Sequence, residues 1–170
     1  MSRKWNTGWP ALLSLFLLTG LSQDLKAQGR AMSTADLVRQ SDVVAVGKVQ
    51  AMKSEWSSDK SRIYTRVTLG VDEYIKGEGA GSSITILTPG GEIDGVGEIY
   101  SHMPVFHNNE DVVVFAAKDK SGVYRVTGGS QGKVLVEKDD SSGRLFVQGS
   151  QTLEMFVGSV RAEVVHQRAK

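Results

Sequence analysis

The chain contains no cysteine among its 170 residues. This absence excludes a disulfide scaffold, thiol catalysis and a cysteine-ligated metal site. It also excludes a lipid-modified N-terminus, because the thiol that would carry the lipid does not exist. A chain of this size must therefore be held together by its apolar core.

The sequence also lacks an apolar run long enough to span a bilayer. Its most apolar stretch, residues 11–21, is about half of the roughly 20 residues that a spanning helix needs. Arg3 and Lys4 precede this stretch and small polar residues follow it, which is the order found in secretory signal peptides. We therefore predict a signal peptide over residues 1–29, export to the periplasm or the extracellular space, and no stable membrane insertion after cleavage.

Neither sign of charge is in clear excess. The whole chain has a formal charge of +1, and removal of residues 1–29 takes away three basic residues and one acidic residue, which leaves −1. Such a near-neutral surface gives no electrostatic basis for binding nucleic acid or anionic lipid. We expect no nucleic-acid partner.

Residues 30–170 are predicted to form a single β-rich domain. The clearest strand begins at Ile63, where apolar and polar side chains alternate for about ten residues. Apolar residues at helical spacing predict an amphipathic C-terminal helix over 150–168, and a short helix is predicted over 33–40. Other strands are predicted at 42–51, 83–88, 111–117, 123–126, 132–137 and 144–148. This pattern favours a small antiparallel barrel of OB-like or netrin-like type, with a sandwich as the alternative.

Four short segments carry a resemblance to known proteins. These are Ser41-Asp42-Val43-Val44 with Gly47 and Val49, Ile75-Lys76-Gly77, residues 110–115, and Gln131-Gly132-Lys133. In this order they resemble an uncharacterised group of exported bacterial β-rich proteins, and remotely the netrin-like barrel of tissue inhibitors of metalloproteinases. The resemblance covers residues 33–137. Those inhibitors chelate the protease zinc through an N-terminal cysteine, so no inhibitor residue can be carried over to this chain.

The irregular segment 92–109 contains the candidate metal ligands His102, His107 and Glu98. Imidazole and carboxylate groups bind metals, but this spacing matches no known ligand frame. Solvated loop residues are the better interpretation. We predict neither a metal nor a cofactor.

Aromatic side chains supply the candidate binding surface. Tyr64 and Arg66 share the polar face of the long strand, and Trp56, Tyr100 and Phe106 could add stacking surface for a sugar or a peptide. Ordinary cross-strand packing is the competing explanation.

The sequence therefore predicts an exported, non-enzymatic binding or accessory module that holds a protein or glycan partner. One alternative is a protein associated with secreted proteases, as inhibitor or partner, but without cysteine-based zinc chelation. The other is an unrecognised hydrolase, although no Gly-x-Ser-x-Gly motif is present.

Overall fold

The computed structural model describes residues 31–77, 81–147 and 151–169. The predicted signal peptide lies outside the described residues. Within them, two helices and ten strands follow one another in the order α1 (Thr34–Gln40), β1 (Val43–Trp56), β2 (Ile63–Lys76), β3 (Ser83–Pro89), β4 (Gly91–Ile93), β5 (Val96–Glu98), β6 (Asp111–Lys118), β7 (Tyr124–Val126), a 3-10 turn (Gly129–Gly132), β8 (Lys133–Lys138), β9 (Leu145–Val147), β10 (Gln151–Thr152) and α2 (Leu153–Arg168).

Five strands close into a barrel in the order β1-β2-β3-β7-β6. Closure occurs because β1 pairs with β2 along one edge and with β6 along the other. All of these pairs are antiparallel except β3 and β7, which meet in parallel at Ile86 and Tyr124. Strands β8, β9 and β10 extend the sheet beyond β6. The prediction of a small barrel, as opposed to a sandwich, is confirmed.

The two longest strands, β1 and β2, have 14 residues each. The predicted alternation in β2 is confirmed from Ile63 to Leu69, where every odd-numbered side chain is buried. Strand β1 runs five residues past its predicted end at Ala51, and its pairing with β2 shifts register at three places. Such bulges bend and twist a strand, as a small barrel requires.

Strand β6 separates two apolar layers. Its alternate residues Val112 and Val114 face the barrel interior, while Val113 and Phe115 face an outer layer covered by the helices. There the ring of Phe156 from α2 meets that of Phe115 edge-on, with centroids 6.4 Å apart. Burial on both faces explains the unbroken apolar run of β6.

Both helices have defined N-caps. Ser33 and Asp36 form a capping box at α1, and the side chain of Thr152 accepts a hydrogen bond from the backbone N–H of Met155 at α2. The amphipathic C-terminal helix is confirmed, although the first residue of its predicted range, Ser150, lies outside the described residues. Neither helix of the described chain has the length and apolar character needed to cross a membrane.

The close approach of β1 to β2 at Gly47 provides a test of the barrel. A Cβ atom at Gly47 would lie 2.1 Å from the carbonyl oxygen of Gly70, a backbone atom that cannot rotate away. We expect Gly47→Ala to lower the free energy of unfolding by roughly 2–3 kcal/mol, as in other overpacked cores. Urea denaturation of the purified protein measures this loss.

The matched control is Gly158→Ala on α2, where a Cβ would meet nothing within 4 Å. This substitution should raise stability by about 0.5–1 kcal/mol, because alanine favours the helix over glycine. Equal effects of the two substitutions on the free energy of unfolding would contradict the close approach of β1 and β2 at Gly47.

Candidate binding groove

The segment between β3 and β6, in which no strand or helix was predicted, builds a groove on one side of the barrel. Strands β4 and β5 form a separate two-stranded hairpin. Its two-residue turn is Asp94-Gly95, and both residues have positive φ, 51° and 78°. An Asp-Gly pair is a preferred sequence for such a turn. The hairpin is followed by a loop over 99–110 that returns to the barrel.

The groove lies between this hairpin and the loop and has a volume of about 340 Å³. Its inner lining includes Phe106, Thr65 and Thr88, all of which are buried, with Met52 of β1 beside them. Its outer lining includes Ile99, which is 94% exposed, and Val105, which is 64% exposed. The lining is thus mostly apolar from the interior to the mouth, which is typical of a binding cleft.

One wall of the groove is fixed by a chain of hydrogen bonds at the carboxylate of Glu98. This carboxylate accepts the backbone N–H of Ile63 at 3.0 Å and the hydroxyl of Tyr100 at 2.9 Å. Arg62 in turn donates to the Tyr100 hydroxyl at 2.7 Å. The Ile63 N–H, the Tyr100 hydroxyl and the nearby Arg62 charge together lower the pKa of Glu98. Glu98 therefore ties the hairpin to the start of β2.

The other wall is fixed by Lys133, the first residue of β8. Its ammonium group donates to the carbonyl oxygen of Val105 at 2.5 Å and to the carboxylate of Glu110 at 2.7 Å. The same ammonium lies 4.9 Å from the ring centre of Phe106, within cation–π range. Lys133 thus binds three points of the loop at once.

The Lys133–Glu110 pair is largely removed from solvent, since each side chain is only 11% exposed. Burial by itself raises the pKa of Glu110, but hydrogen bonds from the Lys133 ammonium and the His107 N–H outweigh it, and the net pKa is lowered. Glu110 is therefore a carboxylate at neutral pH.

The tip of the loop rests on the 3-10 turn. Ser130 donates its backbone N–H to the carbonyl oxygen of His102 at 2.8 Å. His102 has a φ of 64°, an unusual conformation for a residue other than glycine. A Cβ at Gly129 would lie 2.2 Å from that same oxygen. The glycine-rich stretch at 128–132 thus serves close packing under the loop.

Three of the predicted site residues meet at the groove, namely Glu98, Tyr100 and Phe106. Tyr100 lines it through its ring. Phe106 lines the groove from the interior, since its side chain is 3% exposed and packs within the barrel core. The sequence pattern around Phe106 does not distinguish a buried anchor from a surface aromatic.

The other three residues of the predicted binding surface, Tyr64, Arg66 and Trp56, lie outside the groove lining. Tyr64 packs under the guanidinium of Arg125 at 5.8 Å, and Arg66 forms an ion pair with Glu55 of the neighbouring strand at 2.5 Å. The Arg66–Glu55 contact joins two paired strands and is of the cross-strand kind that competed with the binding interpretation. Trp56 is 38% exposed at the end of β1.

The candidate metal ligands are not brought together. His107 contacts Glu110 at 3.4 Å. The backbone carbonyl of His102 accepts a hydrogen bond from Ser130, and the Glu98 carboxylate accepts its hydrogen bonds from Ile63 and Tyr100. Across the ranges that the structure describes, no three histidine or acidic side chains form a cluster suited to a metal ion.

Neither the aliphatic residues at the groove mouth, Ile99 and Val105, nor the Lys133–Glu110 pair was predicted from the sequence. A usable signal was present for the first two, because they are large apolar residues in a segment with no strand or helix period to bury them. No local pattern connects Lys133 to Glu110, since 23 positions separate them.

Replacement of Lys133 by methionine should destabilise the protein by roughly 3 kcal/mol at neutral pH, because it leaves a buried carboxylate without its counter-charge. Urea denaturation measures the loss. The matched control is Lys48→Met, whose partner Asp111 is exposed and 2.8 Å away. Exposed pairs contribute less than about 1 kcal/mol, so a control as costly as Lys133→Met would contradict this assignment.

The lowered pKa of Glu110 predicts a pH dependence. A carboxyl whose pKa lies below its ordinary value of 4.5 stabilises the fold above that value, and the contribution is lost as the pH falls through the folded-state pKa. We expect wild type to exceed Glu110→Gln in stability at about pH 6, and this advantage to shrink by about pH 3. Chemical denaturation of both proteins at the two pH values measures it, and an advantage independent of pH would refute the linkage.

No protein-family model and no curated protein matches this chain.

Proposed function

We propose that this protein is an exported, non-enzymatic binding module that holds an extended apolar segment of a protein partner in the groove beside the β4–β5 hairpin. The observation that carries the proposal is the exposure of large apolar side chains in the lining of an already apolar groove. The groove, and the Glu98 and Lys133 contacts that fix its two walls, are formed within this one chain, so the site exists before a partner binds.

Four of the nine exposed large hydrophobic residues of the described chain lie in this hairpin and loop. Val96, Ile99, Met103 and Val105 are 50%, 94%, 39% and 64% exposed, and all four lie within ten residues of one another in the hairpin and loop. Single exposed aliphatic residues are ordinary, but a contiguous group around a concave surface is typical of an interaction site. Burial of these side chains by a partner would remove that surface from water.

The wall geometry supports a pre-formed site. Glu98 holds the hairpin side, and Lys133 holds the loop side through the Val105 carbonyl. A partner that enters such a site does not have to order it, so less of the binding free energy is lost to entropy.

The backbone of β5 favours an extended occupant. The pairs Gly91–Glu98 and Ile93–Val96 are the hydrogen-bonded positions nearest the two-residue turn, so the N–H and carbonyl of Gly97 point away from β4. Among the described residues, β5 has no strand on its other side. An extended peptide could pair with this edge while its alternate side chains enter the groove.

The acidic residues of the hairpin favour a peptide that carries a basic residue next to its apolar residues. Glu92 lines the groove, Asp94 occupies the turn, and neither carboxylate forms an ion pair within the part of the chain that the structure describes. A lysine or arginine beside the apolar residues would complement them.

We also propose that the barrel is OB-like. The support is the closed order of five strands, in which β3 and β7 are the one parallel pair, and the presence of flanking helices. This arrangement agrees with a Greek-key barrel of that type. Loops at the end of such barrels commonly bind ligands, and the groove is formed by the loop segment between β3 and β6. We propose the netrin-like resemblance for the fold only. The alternative function, a protease-associated role, is tested by the binding experiment below.

The experiment is selection of peptides from a displayed library of random linear sequences on the purified domain, followed by affinity measurement with synthetic peptides. Selected sequences should carry apolar residues at alternating positions with an adjacent basic residue. Ile99→Asp should weaken their binding by at least roughly tenfold, because an aspartate at the mouth opposes burial of the apolar side chain.

The matched control is Leu135→Asp. Leu135 is also an exposed aliphatic residue, 41% exposed, but it lies on β8 and outside the groove lining. Binding should be unchanged in this variant, and both variants should retain wild-type unfolding curves. Peptides that bind Ile99→Asp as well as wild type, or a library that yields no specific binder, would overturn the proposal. Selected peptides that match protease surface segments would favour the protease-associated alternative.

A further inference from the structure

The outward face of α2 carries a second apolar surface, separate from the groove. Met155 and Val165 are 65% and 66% exposed, and Gly158 and Ala162 lie exposed between them. Their spacing of three, four and three residues places all four on one stripe of the helix, the arrangement of positions a and d in a coiled-coil seam. The buried residues Phe156, Val157, Val160 and Val164 lie on the opposite side, against the barrel.

The centre of this stripe permits close approach. A Cβ added at Gly158 would meet nothing within 4 Å, so the surface is open and flat there. Small residues four positions apart allow the backbones of two helices to pack closely, while larger residues at the ends fill the space further out.

We infer that this face pairs with the same face of a second copy of the chain, in an antiparallel two-fold dimer. In that arrangement Met155 lies opposite the partner's Val165, and Gly158 lies opposite the partner's Ala162. A two-fold contact uses the same patch on both copies, so the stripe is complementary to itself.

Charge decides the direction and the partner. One flank of the stripe carries Glu154 near the helix N-terminus and Arg168 near its C-terminus, and both are exposed. Antiparallel pairing brings each glutamate to the partner's Arg168, which gives two opposite-charge pairs and opposed helix dipoles. Parallel pairing would align the two helix dipoles and would not bring Glu154 beside the partner's Arg168. Midway along this flank, Arg161 already forms an ion pair with Glu73 of its own barrel, which offsets its approach to the partner's Arg161.

The absence of cysteine makes a direct test possible. Gly158→Cys and Ala162→Cys are prepared separately and then mixed under mild oxidation. The antiparallel register predicts roughly tenfold more cross-linked dimer in the mixture than in either variant alone, because the pairing raises the effective concentration of these two thiols. Lys120→Cys, in the exposed turn before β7, gives the level of random collision.

Cross-linking of the mixture at the Lys120→Cys level would overturn the inference, and so would preferential cross-linking of each variant with itself. Sedimentation of the unmodified protein gives a second measurement. Wild type should become increasingly dimeric with concentration, and Ala162→Glu, which retains good helix propensity, should remain monomeric. A monomeric wild type at its highest soluble concentration would also refute the dimer. Neither measurement depends on a peptide in the groove, so the two proposals fail independently.

Discussion

The double pairing of β1 is the constraint on which the rest of the structure depends. A strand that pairs along both edges closes the sheet, and β1 does so with β2 on one side and β6 on the other. Once the sheet closes, its interior must be filled by side chains, and aliphatic residues of β1, β2, β3 and β6 fill it together with Phe106. The outer face of β6 then requires its own cover, which α1 and α2 supply. Two apolar layers therefore follow from one closure.

The groove is a second consequence of that closure. The chain leaves the barrel after β3 and must return to begin β6 beside β1, and the intervening residues have no place in the main sheet. They are held instead by side-chain bonds, Glu98 to the start of β2 and Lys133 to the loop. Buried polar groups of this kind require partners, and here the described residues leave no buried side-chain nitrogen or oxygen without one. The loop that carries exposed aliphatic residues is thus fixed in position by charged ones.

The sequence predicted the elements that have a clear period. Strand β2 alternates, β6 is continuously apolar, and α2 repeats at helical spacing, so each pattern reports its own environment. Strands β4 and β5 have three residues each, too few for alternation to be distinguished from chance. The parallel meeting of β3 with β7 depends on the path of the whole chain, and local pattern contains no trace of it.

The candidate site was predictable only in location. The long irregular segment 92–109 marked the region, as such segments often do. The individual residues were not predictable, because their roles come from contacts between distant positions: Phe106 is an anchor because β1 and β6 enclose it, and Glu110 is paired because β8 returns beside it. Tyr64 and Arg66 were correctly placed on one face of β2, but the neighbours that occupy that face come from β1 and β7.

Barrel closure also imposes an order in time on a chain that emerges from its N-terminus. Strands β1, β2 and β3 are consecutive and form neighbouring antiparallel pairs, so they can assemble as soon as Pro89 has appeared. The second edge of β1 then waits for β6, and β3 waits longer still for β7. During this interval a three-stranded sheet has two open edges, and its apolar inner face has no cover. A chain under synthesis is therefore most exposed to pairing with other chains between the appearance of Pro89 and that of Val126.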